Sequence, residues 1–473
     1  MNIRAASEKI RLDLYHLAKS DLPRALCEED LSISAESRQE KDGVSAKVVI
    51  RRGSGGSEGV FFASFKRHIE TRRAESAAIA AAWRRAAEPF IEKAPPYGTL
   101  TGVRPVKVAL FYLKNGKSEA ETRAVLEEDY FVAPEKAALL CDLAKRESEI
   151  SLQKNDALLY FSIPFCPSRC SYCSFISSSA PKHLSLIPEY LEKMEREAAL
   201  LAAYLREKGS RLRAFYMGGG TPGILTASQL DRLLKKAEEE FDLSACAEKC
   251  VELGRPETVT AEKLSVLVSH GVNRVCINPQ STSEKVLLEI GRGHGRKEFF
   301  RAMELAKDFP SLAVNCDLIA GLPGDGAESY LNSVREVLAL DPASVTIHAL
   351  CKKNASDLET AKGWKNLRES VEISHEMCIN AGLFPYYLYR QKMAVEGLEN
   401  LGFSKPGFAS LYNLAMMEDL CDVYSLGAGG VTKTVPGSGR IRRYAAFKYP
   451  YEYVADFGKV EATLDRMRRE EKP

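Results

Sequence analysis

From Leu158 onward the chain alternates short apolar runs with long amphipathic ones, and that rhythm restricts the fold more than any other feature. The runs LLYFSI, RAFYMG, KCVELG, RVCINP, LAVNCDLIAG and SVTIHAL read as strands. Between them lie helical stretches such as IPEYLEKMEREAALLAAYL, ASQLDRLLKKAEEEF and ESYLNSVREVLAL. Such a series of βα units predicts a parallel sheet with right-handed crossovers, open or closed into a full or partial barrel. Ligands in these folds sit at the carboxyl ends of the strands, so the residues ending each strand are the candidates for chemistry.

The flanks have a different texture. Residues 1–150 read as a separate α+β domain. It opens with an amphipathic helix around Ile10, Leu14 and Leu17 and continues into a hairpin: VSAKVVIRR, the loop GSGGSEG, then VFFASFKRHI. An alanine-rich helix runs from Arg73 to Ala87, and Pro95–Pro96 and TGVRP follow it. The core spans 151–385. After Pro385 the alternation stops, and YYLYRQK, SLGAGG and a charged terminal helix make a mixed third region over 386–473.

Composition excludes several classes. Hydrophobic residues are 45% and charged residues 27% of the 473, ordinary globular usage that excludes a wholly disordered chain. Lys+Arg 66 against Asp+Glu 64 leaves +2, so no global field draws the chain to nucleic acid. No apolar run approaches the ~20 residues that span a bilayer. The start, MNIRAASEKIRLDLYHLAK, is too charged for a signal peptide, and a cytoplasmic location is expected. The twelve cysteines then need an explanation other than a secreted disulfide framework.

Nine of them are scattered and suit buried small hydrophobes. The other three are Cys166, Cys170 and Cys173, spaced C-x3-C-x2-C directly after the first core strand, in YFSIPFCPSRCSYC. Three thiolates on one loop, without a fourth, suit a [4Fe–4S] cube with one iron left open for reaction. Two rivals are structural cysteines and a zinc site recruiting Cys246 or Cys250. Neither accounts for the strand-end position.

The cysteine loop resembles the signature of the radical S-adenosylmethionine (SAM) superfamily, whose core is a (β/α)6 partial TIM-type barrel. The second strand ends in MGGGTP, which strengthens the likeness. With VELGRPETVT, RVCINPQSTSEKVLLEIGRGH, NCDLIAGLPGD and YYLYRQK, the resemblance narrows to the oxygen-independent coproporphyrinogen III oxidase (dehydrogenase) family, and within it to the HemZ-like branch. It covers Tyr160 to about Lys392.

The resemblance implies a role for each matching residue. Cys166, Cys170 and Cys173 would ligate a [4Fe–4S] cluster. Tyr160 and Tyr172 would contact SAM, the latter against adenine, with core packing as the plain reading of either ring. Gly219, Gly220 and Thr221 would line the SAM site. Glu252 ends the third core strand, Gln280 the fourth, and Arg292 follows in GRGH, suited to a methionine carboxylate. Asp317 on the fifth suits ribose hydroxyls, and Ala349 on the sixth leaves room for adenine. Arg390, and less specifically Arg104 and Lys392, would meet the substrate's carboxylates.

The implied chemistry is reductive cleavage of SAM to a 5′-deoxyadenosyl radical, which takes hydrogen from a propionate β-carbon. Loss of CO2 and one electron leaves a vinyl group, and two rounds convert coproporphyrinogen III to protoporphyrinogen IX. The implied partners are coproporphyrinogen III or a related porphyrinogen and a reduced donor such as flavodoxin or ferredoxin, with no nucleic acid and no membrane span. A heme chaperone of the same superfamily is the nearest rival. It typically carries His-Asn-x-x-Tyr-Trp where this chain reads SLYNLAMMEDL, without histidine or tryptophan. An iron–sulfur redox sensor would need the cysteines but not the strand-end polar set.

Overall fold

The computed structural model describes residues 1–22, 31–91, 94–173, 179, 181–293, 295–351, 364, 366–391, 394–436 and 441–471. The chain forms two compact units: Met1–Ser151 with Leu388–Glu399, and Leu152–Tyr387 with Asn400–Pro473.

The first unit is built on a sheet in the order β1 (Asn2–Ala5), β2 (Leu31–Gln39), β3 (Gly43–Arg52), β4 (Gly55–Ser64). One face carries the alternating Leu31, Ile33 and Ala35 of β2 and Val44, Ala46, Val48 and Ile50 of β3, all buried. Helices Glu8–Asp21 and Thr71–Ala87 complete this α+β layer, the second contributing mostly buried alanines. Small side chains let that helix approach the strands closely. The hairpin differs from its sequence reading. Arg52 pairs with Gly55, so the turn is two residues and most of GSGGSEG is strand. Glycine and serine suit a tight hairpin turn as well as a long loop, which is why local composition misled.

Arg390 belongs to this unit. Its backbone N–H donates to the Val103 carbonyl at 2.7 Å. Its guanidinium donates to the Leu100 and Gly397 carbonyls and lies over the Tyr97 ring at 4.5 Å. In the same unit, Lys136 and Glu399 form a buried ion pair at 2.6 Å. A buried guanidinium bonded to two carbonyls is an internal staple, so the expected grip of Arg390 on a substrate carboxylate is withdrawn. Arg104 is half-buried in the same unit. Lys392 lies outside the described residues.

The second unit carries the six core strands where the alternation predicts them: β5 (Asp156–Ile163), β6 (Arg211–Gly219), β7 (Glu248–Gly254), β8 (Arg274–Ile277), β9 (Ala313–Ala320) and β10 (Ser344–Ala349). Each pairs in parallel with the next, giving a (β/α)6 partial barrel. The final third is not a separate region. Strands β11 (Phe384–Arg390) and β12 (Glu399–Ser404) extend the sheet beyond β10, with β12 antiparallel to it. Strand β13 (Asp422–Leu426) adds in parallel to β5, followed by antiparallel β14 (Thr432–Thr434) and β15 (Arg442–Tyr444). The physical reason is that an open six-stranded sheet leaves two rows of unpaired backbone groups, and the C-terminal strands cover them.

Inside the curve, Leu158, Ala214, Tyr216, Cys250 and Cys276 pack around Tyr412 and Ala415 of helix Leu411–Glu418. That helix fills the interior below the strand ends.

Candidate functional site

The cysteine loop leaves β5 at Ile163 and is tied to the end of β6. Gly220 N–H donates to the Ile163 carbonyl at 2.8 Å, and Thr221 N–H to the Phe165 carbonyl at 2.7 Å. A Cβ on Gly220 would lie 2.5 Å from the Phe165 oxygen, so only glycine permits this crossing. Gly219 has φ 111°, a conformation that disfavours side chains. The glycine triplet therefore seats the cysteine loop, a task beyond the ligand approach its sequence suggests.

On its other side the loop is held by the segment after β8. Ser171 N–H donates to the Ile290 carbonyl at 3.0 Å, and Ser168 Oγ to the Gly291 carbonyl at 3.1 Å. Cys166 and Cys170 are buried and Cys173 is half-buried. Thr221 Oγ1 sits 3.3 Å from Cys166 Sγ. Arg255 donates through Nη2 to the Ser168 carbonyl at 2.7 Å, Ser168 Oγ at 3.0 Å and Cys170 Sγ at 3.3 Å. Among the described residues, no three His, Cys, Asp or Glu side chains gather as one ion would require. The zinc alternative fails on position. Cys246 Sγ faces the Leu212 carbonyl near the start of β6, and Cys250 lies inside the barrel beside Cys276.

The strand ends carry the polar set. Glu252 on β7 accepts a hydrogen bond from the Tyr216 hydroxyl. Burial pushes its carboxyl up to about 7, with the charge of Asp317 adding and the Tyr216 bond opposing. Tyr160 joins the Tyr216 and Tyr412 rings in a stack, with centroids 6.0 and 6.2 Å from it. On β9, burial works to raise the Asp317 carboxyl, but His348 Nε2 3.7 Å away, with the Asn315 amide at 2.8 Å, holds it below the usual range. Its backbone N–H donates to Asn278 Oδ1 at 3.2 Å.

Strand β8 ends at Ile277, short of Gln280. Gln280 continues the pairing as a single bridge to Leu318, at φ 66°. Arg292 donates to the Asn278 carbonyl at 3.2 Å and the Tyr172 hydroxyl at 3.0 Å. Tyr172 thus presents its hydroxyl to an arginine. Ala349 closes β10, its N–H donating to Asn400 Oδ1 at 3.2 Å.

Two buried polar atoms in this set have no hydrogen-bond partner: Gln280 Oε1 and Arg292 Nε. An acceptor bridged to β9 and a cationic donor beside the cysteine loop, both left open, fit a ligand that brings both an amine or hydroxyl and a carboxylate.

The expected residues thus fall into linked groups. Cys166 meets Thr221, while Tyr172, Arg292, Asn278 and Asp317 form a chain. Glu252, Tyr216 and Tyr160 form another group. Sequence reasoning missed Arg255, Asn278, His348 and Tyr216. Arg255 stands one residue past a strand end in VELGRPETVT, the position that should have drawn notice.

The model of the radical SAM superfamily matches residues 160–337. The chain is 34% identical over 369 residues to the oxygen-independent coproporphyrinogen-III oxidase-like protein HemZ of Bacillus subtilis, covering 76% of this chain and 74% of that one. It is 29% identical to the heme chaperone HemW of Escherichia coli, covering 64% of this chain and 79% of that one. The fold is similar to that of coproporphyrinogen III oxidase HemN from Escherichia coli, with TM-score 0.50 and 19% identity over 69% of this chain and 72% of that one.

Proposed function

The chain belongs to the radical SAM superfamily, in the branch of oxygen-independent coproporphyrinogen-III oxidase-like proteins, and from that premise we propose that it decarboxylates porphyrinogen propionates to vinyl groups. Members use a [4Fe–4S] cluster and SAM, which together supply a carbon radical by one-electron reductive cleavage. Coproporphyrinogen III is the proposed substrate, and a low-potential carrier such as a flavodoxin or ferredoxin the proposed electron source.

Cys166, Cys170 and Cys173 hold the cluster in this reading. Arg292 and Gln280 carry most of the argument, because their open Nε and Oε1 atoms are buried and unmatched without a ligand. Arg292 receives the SAM carboxylate and Gln280 an amine or hydroxyl. Asp317, held ionised by its neighbours, accepts from ribose hydroxyls. Glu252 takes up the positive amino group once that charge draws its carboxyl into the ionised form. The buried tyrosine stack beneath them excludes water from the site.

A second reading, heme chaperone, is favoured by the likeness to HemW proteins. Against it stands helix Leu411–Glu418, which offers no histidine and turns Tyr412 inward. Anaerobic incubation with coproporphyrinogen III, SAM and dithionite separates the two when run beside a heme titration. Vinyl product supports the oxidase. Saturable heme binding without vinyl product supports the chaperone.

A further inference from the structure

Arg255 lies in a motif that the family resemblance quotes, yet none of the roles above uses it. Its side chain is 4% exposed. A buried guanidinium is costly unless its charge is matched. Its partners are the Ser168 carbonyl, Ser168 Oγ and Cys170 Sγ, all through Nη2. Glu257 Oε1 forms an ion pair with Nη1 at 3.6 Å and is the more exposed of the two partners. Two of the three acceptors are neutral oxygens. The third becomes an anion when Cys170 ligates iron.

We propose that Arg255, by donating a charged hydrogen bond to Cys170 Sγ, raises the reduction potential of the cluster and so sets the ease with which it takes an electron. The proposal rests on Cys166, Cys170 and Cys173 holding that cluster. A reduced cluster carries one more negative charge than an oxidised one. A buried cation with a hydrogen bond to a ligand sulfur therefore stabilises the reduced form more. Position follows from the fold: Arg255 comes one residue after β7, where the strand end faces the cysteine loop, and its own N–H is pinned to the Leu253 carbonyl at 2.7 Å. Arg292 also places its charge near Cys170, but the hydrogen bond from a guanidinium to that thiol comes from Arg255.

The competing role is a mere staple through Ser168, and Ser168→Ala isolates it. EPR-monitored redox titration of anaerobically reconstituted protein, without SAM or substrate, reads the potential directly. Arg255→Gln should load iron and lower the potential, so that at a fixed poise the reduced-to-oxidised ratio falls at least tenfold, about 59 mV for a one-electron couple. Ser168→Ala should leave the potential where it is. An unchanged potential in loaded Arg255→Gln, or an equal fall in Ser168→Ala, would overturn the proposal.

If Arg255→Gln fails to hold iron, wild-type protein grown with 15N-arginine decides. Its reduced cluster should show a pulsed-EPR coupling to guanidinium nitrogen that Arg255→Lys lacks, and absence of that coupling overturns the proposal. Failure of the cluster assignment looks different: iron content would then be indifferent to Cys170→Ala.

Discussion

Arg292 reaches from the segment after β8 to the Tyr172 hydroxyl, 3.0 Å away, and so ties the far side of the barrel mouth to the cysteine loop. The same guanidinium donates to the Asn278 carbonyl and keeps Nε open. One residue thus braces the loop and presents a free donor beside it.

Arg292→Ala should keep iron while losing SAM affinity. A lost charge-assisted bond of ~1.5–3 kcal/mol weakens binding by roughly one to two orders of magnitude. Tyr172→Phe, which removes only the brace, should cost less. Equilibrium dialysis of SAM against the loaded proteins measures both, and wild-type affinity in Arg292→Ala would remove it from the site.

Gly220→Ala should fail at loading. Its new methyl meets the Phe165 carbonyl, and β6 and the cysteine loop cannot both keep their paths. Circular dichroism should stay near wild type while iron content falls severalfold. Full iron content would show that the crossing is soft.

SAM affinity should depend on pH through Glu252. Burial raises this carboxyl to about 7, so it is neutral below that pH and ionised above. Affinity for a ligand bearing a positive amine should rise as pH passes through 7 and level off beyond it. The same raised value means that Glu252 contributes stability present below its unfolded pKa and lost as pH climbs through 7. Glu252→Gln should flatten both profiles, and a rise surviving in that variant would assign the titration elsewhere.

Cluster loading should distinguish the cysteines. Cys170→Ala should lose the cluster, whereas Cys246→Ala and Cys250→Ala should retain it, since their thiols face the Leu212 carbonyl and Cys276 inside the sheet. Iron and sulfide analysis reads all three variants.

The six core strands are legible because each is apolar enough, and each intervening helix long enough, to declare a period. The strands β12, β14 and β15 are not, being three to six residues long and antiparallel additions whose reason is an exposed edge far away in sequence. Strand β2 carries a period-two signal in Leu31, Ile33 and Ala35 that its serines obscure. The three cysteines are legible by spacing alone. Arg255 and Asn278 are not, because their roles depend on which backbone crosses in front of them. Arg390 shows the opposite failure. A cation in YYLYRQK, at the end of β11, invites a substrate role, but nothing local reveals that Leu388–Glu399 folds with the N-terminal unit.

The most direct test of the whole account is vinyl product formed per 5′-deoxyadenosine released. Reconstituted protein is incubated anaerobically with coproporphyrinogen III, SAM and dithionite. The account predicts that vinyl groups rise in step with 5′-deoxyadenosine and that Cys170→Ala abolishes both. Cleavage of SAM with no vinyl product from wild-type protein, alongside stoichiometric heme binding, would contradict it.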